Sequence, residues 1–82
     1  MAPGLRDEIR QLLAEHAGQR MDFVAIFMFL NTVAGGHYEE RCSEEDLRGA
    51  LAELLAAGEI ATELEARGAP GDRACYYRLP PA

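Results

Sequence analysis

The chain has 82 residues, of which 49% are apolar and 27% charged, a composition that excludes intrinsic disorder and suits one small domain. All eight basic residues are arginines, and 14 acids give a net charge of −6. This acidic balance disfavours non-specific binding to nucleic acid or to an anionic membrane.

The negative charge is concentrated in one part of the chain. Residues 43–66 carry −6 and residues 21–42 carry −2, whereas residues 1–20 are neutral and residues 67–82 carry +2. Charges are screened over about 8 Å at cellular ionic strength, so the local sign decides what each surface can bind. The C-terminal stretch is therefore the one best suited to meet a polyanion.

The first predicted element is an amphipathic helix over about 4–17. Its apolar residues recur at helical spacing, and Gly18 follows as a stop signal. The apolar stripe consists of Leu5, Ile9, Leu12, Leu13 and His16.

This charged, amphipathic beginning differs from a secretory leader, and the longest apolar run, Phe23 to Leu30, is too short to span a bilayer. We therefore expect a cytoplasmic protein without a membrane partner. In a reducing compartment, Cys42 and Cys75 are expected to be free thiols.

The second predicted element is the segment FVAIFMFLNTVA, read as a helix over about 23–34 that Asp22 caps. FVAIFMFL alone also suits a strand, because it contains β-branched and aromatic residues. The apolar pattern continues for a dozen residues, which favours the helix. Residues 19–22, just before it, are able to form a third short strand.

Three apolar side chains of this helix, Val24, Met28 and Phe29, are not needed on the side of the helix that faces the core. Either the following loop covers them, or they form an exposed apolar patch of the kind that marks a protein interface. The leading hypothesis is the interface, with a homodimer as its simplest form, because most oligomers have two-fold symmetry.

The third predicted helix, over about 44–57, begins after the capping residue Ser43 and ends before Gly58. Its predicted inward residues are Leu47, Ala50, Leu51, Leu54 and Leu55.

Beyond Gly58 the apolar period changes to two, which predicts strands over about 59–66 and 74–79. Ile60, Thr62 and Leu64 are predicted to form a half-buried face of the first of them. The stretch Ala69 to Asp72 between the strands is typical of a type II turn. The predicted fold class is therefore α+β, with three helices followed by a β-hairpin.

Two stretches, DLRGALAELLAAGEI and RACYYRLP, resemble the third helix and the wing strands of the winged helix-turn-helix family. The resemblance implies a three-helix core with a two-stranded wing. In members that bind DNA, the third helix enters the major groove and the wing touches the backbone or minor groove. On this chain the corresponding candidate DNA contacts are Arg48, Arg67, Arg73 and Arg78.

The third helix begins with three acids, Glu44, Glu45 and Asp46. Acids in a first turn stabilise a helix by about 0.3–1 kcal/mol each, but they also repel phosphate. Nucleic acid is therefore a disfavoured partner, and DNA-binding regulation stays the alternative to protein association. A third alternative is an acidic protein that competes for a basic cleft.

The residues able to bind metal or act as nucleophiles lack the spacing that such chemistry needs. His16, His37, Cys42 and Cys75 form no zinc-binding pattern, and Ser43 has no histidine nearby in the sequence. We therefore expect no enzyme, metal, cofactor or small-molecule substrate.

Overall fold

The computed structural model describes residues 4–66 and 73–81, apart from the side chains of Ala66 and Arg73. The elements follow one another as α1 (Leu5–Glu15), β1 (Met21–Asp22), α2 (Phe23–Leu30), α3 (Glu44–Ala56), β2 (Ala61–Ala66) and β3 (Arg73–Arg78). The predicted α+β class, with three helices and a short strand before the second, is confirmed. The predicted type II turn lies outside the described residues. No helix in the described part of the chain is both long and apolar enough to cross a membrane.

The three strands form an antiparallel sheet in the order β1-β3-β2. β2 pairs with β3 along its length, and Met21 of β1 pairs with Tyr77 on the opposite side of β3. Asp22 ends β1 and also caps α2, because its Oδ1 accepts a hydrogen bond from the Ala25 amide at 2.8 Å. The sheet therefore fixes where α2 begins.

The hydrophobic core lies where the three helices meet the inner face of the sheet. α1 contributes Ile9 and Leu13, and α3 contributes a row of buried leucines. The remaining core is supplied by Met21 of β1, by Ile26 of α2 and by Cys42 and Ile60, which lie just outside the helices and strands. The buried side chains are Ile9, Leu13, Met21, Ile26, Cys42, Leu47, Ala50, Leu51, Leu54 and Ile60.

The last turn of α3 closes as a Schellman motif around Gly58. The Gly58 amide donates to the Leu55 carbonyl at 3.1 Å, and the Glu59 amide donates to the Leu54 carbonyl at 2.9 Å. Gly58 has φ +72°, which glycine adopts without the cost that a Cβ would impose. Arg10 then binds Glu59, so α1 holds the chain where it turns into β2.

The prediction for the end of the second helix was wrong, because α2 ends at Leu30 rather than near residue 34. Beyond Asn31 the chain reverses direction, and Thr32 pairs with Tyr38 in an isolated antiparallel bridge. Gly35 and Gly36, with φ +88° and +79°, lie between these two residues. Two consecutive left-handed residues suit glycine, which explains why this turn contains a glycine pair.

Two leucines that were predicted to face inward are exposed. Leu55 in the last turn of α3 is 36% exposed, and Leu64 in β2 is 59% exposed. Leu64 lies opposite Cys75, beyond the part of β3 that pairs with β1. Thr62, in the same predicted face, is also exposed. The hairpin thus extends past the core, so alternation along its strands does not ensure burial there.

Candidate interaction surfaces

Apart from Ala25, which lies between Met28 and Phe29 on the helix surface, the residues of α2 divide between two sides. At 100° per residue, Ile26, Leu30, Phe23 and Phe27 fall within an arc of about 100°. Ile26 is fully buried and the other three pack against the core. Val24, Met28 and Phe29, here called the α2 outer face, fall within an arc of about 140° on the opposite side. No residue of α2 carries a charge.

The α2 outer face is open to solvent. Val24 is 65% exposed, Met28 46% and Phe29 49%. The loop that follows α2 does not cover these side chains. This excludes the alternative that the loop buries them. Three large apolar side chains side by side on one charge-free helix form the kind of patch that proteins use for association.

Neighbouring residues border the α2 outer face at its C-terminal end. The His16 ring at the end of α1 lies with its centroid 4.6 Å from that of Phe29, a tilted contact that holds the Phe29 ring in place. At the same end Thr32 Oγ1 donates to the Met28 carbonyl at 2.6 Å. Tyr38, paired with Thr32, is 53% exposed and adds an aromatic side chain at this end.

Asn31 holds the loop after α2 in position and is the fully buried polar residue of the described chain. Its Oδ1 accepts from the amides of Arg41 and Cys42 at 2.7 and 2.9 Å. Its Nδ2 donates to the carbonyls of Phe27 and Cys42 at 3.0 and 3.1 Å. Sequence reasoning missed both this residue and Tyr38. The sequence does contain a signal for Asn31, because this amide side chain interrupts an apolar run shortly before two glycines.

The start of α3 is acidic and well capped. Ser43 Oγ accepts from the Asp46 amide at 3.1 Å, which confirms the predicted N-cap. Glu44, Glu45 and Asp46 are exposed in the first turn. Cys42, just before the cap, is buried, and its burial, with the negative charge of Asp46 next in importance, raises the pKa of its thiol. Cys42 is therefore held as the neutral thiol rather than as a nucleophilic thiolate.

Arg48, the candidate DNA contact of α3, is engaged within the protein. Its guanidinium carbon lies 4.6 Å from the centroid of the Phe23 ring, and its Nη2 lies 3.7 Å from Glu44 Oε2. Arg78 is also paired, with Nε 3.8 Å from Glu63 Oε2. Arg67 and the side chain of Arg73 lie outside the described residues, and the two described candidates, Arg48 and Arg78, are each paired with a different carboxylate.

Every arginine side chain that the structure describes lies within 3.8 Å of a carboxylate. Such exposed pairs contribute only about 0–1 kcal/mol to stability, but they leave each cation locally neutralised. Phosphate would have to compete with a carboxylate already in place. The pairs are Arg6 with Glu53, Arg10 with Asp7 and Glu59, Arg20 with Glu65, Arg41 with Glu8, Arg48 with Glu44, and Arg78 with Glu63.

No protein-family model, no curated protein and no solved structure matches this chain.

Proposed function

We propose that the chain is a non-catalytic regulatory module of winged-helix architecture that acts by protein–protein association. The architecture is supported by the order helix, strand, helix, helix and hairpin, with β3 placed between β1 and β2. The antiparallel pairing of β3 with both β1 and β2 supports this proposed architecture. The association surface is the α2 outer face.

One observation carries the proposal: three neighbouring apolar side chains on a helix without charge stay about half exposed or more. Full burial of such a side chain is worth about 1.5–3 kcal/mol, so covering the exposed half yields about 1 kcal/mol for each residue. A partner that covers all three side chains therefore gains about 3 kcal/mol, which is a substantial part of the binding free energy of a weak complex. No other described surface combines this exposure with an absence of charge.

DNA-binding regulation is the competing function, and the charges argue against it. The helix that would enter the groove starts with three exposed acids, and its one arginine is paired with Glu44 and stacked on Phe23. We expect no binding to a fluorescent duplex at about 50 mM salt, where electrostatic attraction is strong. Duplex binding that is lost in Arg48→Ala and in Arg67→Ala/Arg73→Ala would replace our proposal with this one.

The proposal is tested by site-specific photo-crosslinking in the cell that makes the protein. A benzophenone amino acid replaces Met28 in one variant and Leu64 in another. Leu64 is a matched control because it is 59% exposed and apolar but lies on β2, away from the α2 outer face. We expect protein adducts from position 28 that are absent or much weaker from position 64. Equal adducts from both positions, or none from position 28, would contradict the proposed association surface.

A further inference from the structure

We infer that the partner at the α2 outer face is a second copy of this chain, bound by antiparallel pairing of the two α2 helices about a two-fold axis. This inference rests on the proposed function and specifies its partner. Three features support it: the distribution of charge, the position of Glu39 and the extent of the exposed apolar surface.

Charge limits where two copies can meet. The chain carries −6, and nine of its 14 acids lie on α1, on α3 and on β2, so contact through those elements brings carboxylates together. α2 has no ionisable residue between Phe23 and Leu30. Two copies can therefore approach through their α2 outer faces without opposing like charges directly. A strongly basic partner, in contrast, would gain more from the acidic surfaces than from this neutral one.

The position of Glu39 selects the antiparallel arrangement. The Glu39 amide donates to the Asn31 carbonyl at 2.7 Å, which places this exposed acid at the C-terminal end of α2. Parallel helices would bring the two Glu39 residues to the same end. Antiparallel helices separate the two Glu39 residues and place each near the N-terminal end of the opposite α2, where the helix dipole favours negative charge and where the Asp22 carboxylate is already bound to the Ala25 amide.

The apolar surface is large enough for a weak dimer. Val24, Met28 and Phe29, with Tyr38 at the end of the row, each expose about half of their surface. Four such side chains offer about 400 Å² in each copy, so a dimer buries about 800 Å² in total plus its polar margin. This area lies at the low end of specific interfaces, which is typical of transient association. We therefore expect a dimer that forms and dissociates rapidly.

The arrangement makes a geometric prediction about which residues meet across the axis. Met28 lies near the middle of the exposed row, so Met28 should face Met28 of the second copy. Val24 lies one turn away, about 6 Å along the helix, so the two Val24 positions should be about 12 Å apart. A disulfide requires Cα atoms within about 7 Å, which Met28→Cys satisfies and Val24→Cys does not.

Sedimentation equilibrium from about 10 µM to about 1 mM tests the dimer itself. We expect the wild type to pass from monomer to dimer in this range, and Met28→Gln to weaken dimerisation at least about tenfold, because an amide loses the apolar contact at the axis. Leu64→Gln is the control and should dimerise as the wild type does. A wild type that remains monomeric at about 1 mM, or equal weakening by Leu64→Gln, would overturn the inference.

Disulfide formation in a glutathione buffer tests the orientation. In a Cys75→Ser background, in which the remaining Cys42 is buried, Met28→Cys should form a covalent dimer much faster than Val24→Cys or Leu64→Cys. Equal rates for Met28→Cys and Val24→Cys would exclude the antiparallel arrangement.

The two proposals fail in different ways. A monomeric wild type that still gives position-specific adducts with another protein at Met28 would overturn the second copy as partner and leave the proposed function standing. A monomeric wild type without such adducts would overturn both.

Discussion

Asn31 and Cys42 exchange two hydrogen bonds: Asn31 Oδ1 accepts from the Cys42 amide at 2.9 Å, and Asn31 Nδ2 donates to the Cys42 carbonyl at 3.1 Å. The side-chain amide thereby pairs with the main chain as a neighbouring strand would. Because Cys42 immediately precedes the α3 cap, this pair links the end of α2 to the start of α3. It also closes the loop that presents Tyr38 beside the α2 outer face.

Replacing Asn31 should therefore destabilise the whole domain. Asn31→Ala leaves the partly buried amide of Arg41 and the buried amide of Cys42 without their acceptor, at about 1–3 kcal/mol for each unsatisfied group. We expect the free energy of unfolding, measured by urea denaturation, to fall by about 3 kcal/mol. Thr32→Ala is a neighbouring control on the surface and should cost less than about 1 kcal/mol. Similar losses in the two variants would show that the Asn31 network contributes little.

Two glycines of the α3 region should respond oppositely to alanine. Gly49 lies on the exposed side of α3 with open space around the position of a Cβ, so Gly49→Ala should stabilise the protein by about 0.5–1 kcal/mol. Gly58 has φ +72°, where an L-residue costs about 1–2 kcal/mol, so Gly58→Ala should destabilise it. Thermal unfolding followed by circular dichroism measures both changes. The same sign for both variants would contradict this assignment of backbone conformation.

Stability should fall at alkaline pH. Burial raises the pKa of the Cys42 thiol above its ordinary value of 9.0, and burial, together with the nearby Cys75, raises the pKa of the Tyr77 hydroxyl above 10.0. Both groups stay protonated to a higher pH in the folded chain than in the unfolded chain. Their contribution is thus complete below pH 9 and is lost as pH rises through the folded pKa values, with a limiting slope of about 1.4 kcal/mol per pH unit for each proton.

The measurement is the free energy of unfolding in urea between pH 7 and about 11. Tyr77→Phe retains the ring and removes the ionising hydroxyl, so its decline above pH 10.0 should be shallower than that of the wild type. An unchanged slope in Tyr77→Phe would show that this hydroxyl titrates alike in the folded and unfolded chains.

The two thiols should differ in reactivity. Cys42 is 7% exposed and its pKa is raised, whereas Cys75 is partly exposed on β3. Alkylation by iodoacetamide requires an accessible thiolate, so we expect Cys75 to react first and Cys42 only on unfolding. Mass spectrometry of a time course separates the two sites.

Local patterns were sufficient for most of the secondary structure. The apolar period of 3.6 placed α1 and α3, the change to a period of two placed the hairpin, and Asp22 and Ser43 marked where α2 and α3 begin. These features depend on residues within a few positions of one another. The inward side of α2 could be predicted for the same reason.

The end of α2 could not be read in this way, because Val33 and Ala34 continue the apolar pattern beyond the helix. The helix ends where Asn31 binds Arg41 and Cys42, ten and eleven residues away. The contacts of Arg48 were equally hidden, since it lies on Phe23 of another helix. Neither contact produces a periodic pattern in the sequence.

By itself, the sequence determined which segments form helices and strands, where two helices begin and that the surface of α3 is acidic, because caps, periodicity and charge are local properties. Only the tertiary structure decided that Val24, Met28 and Phe29 remain uncovered and that Leu64 lies beyond the core. Periodicity gives the two sides of an element, but burial depends on whether another part of the chain packs against a given side.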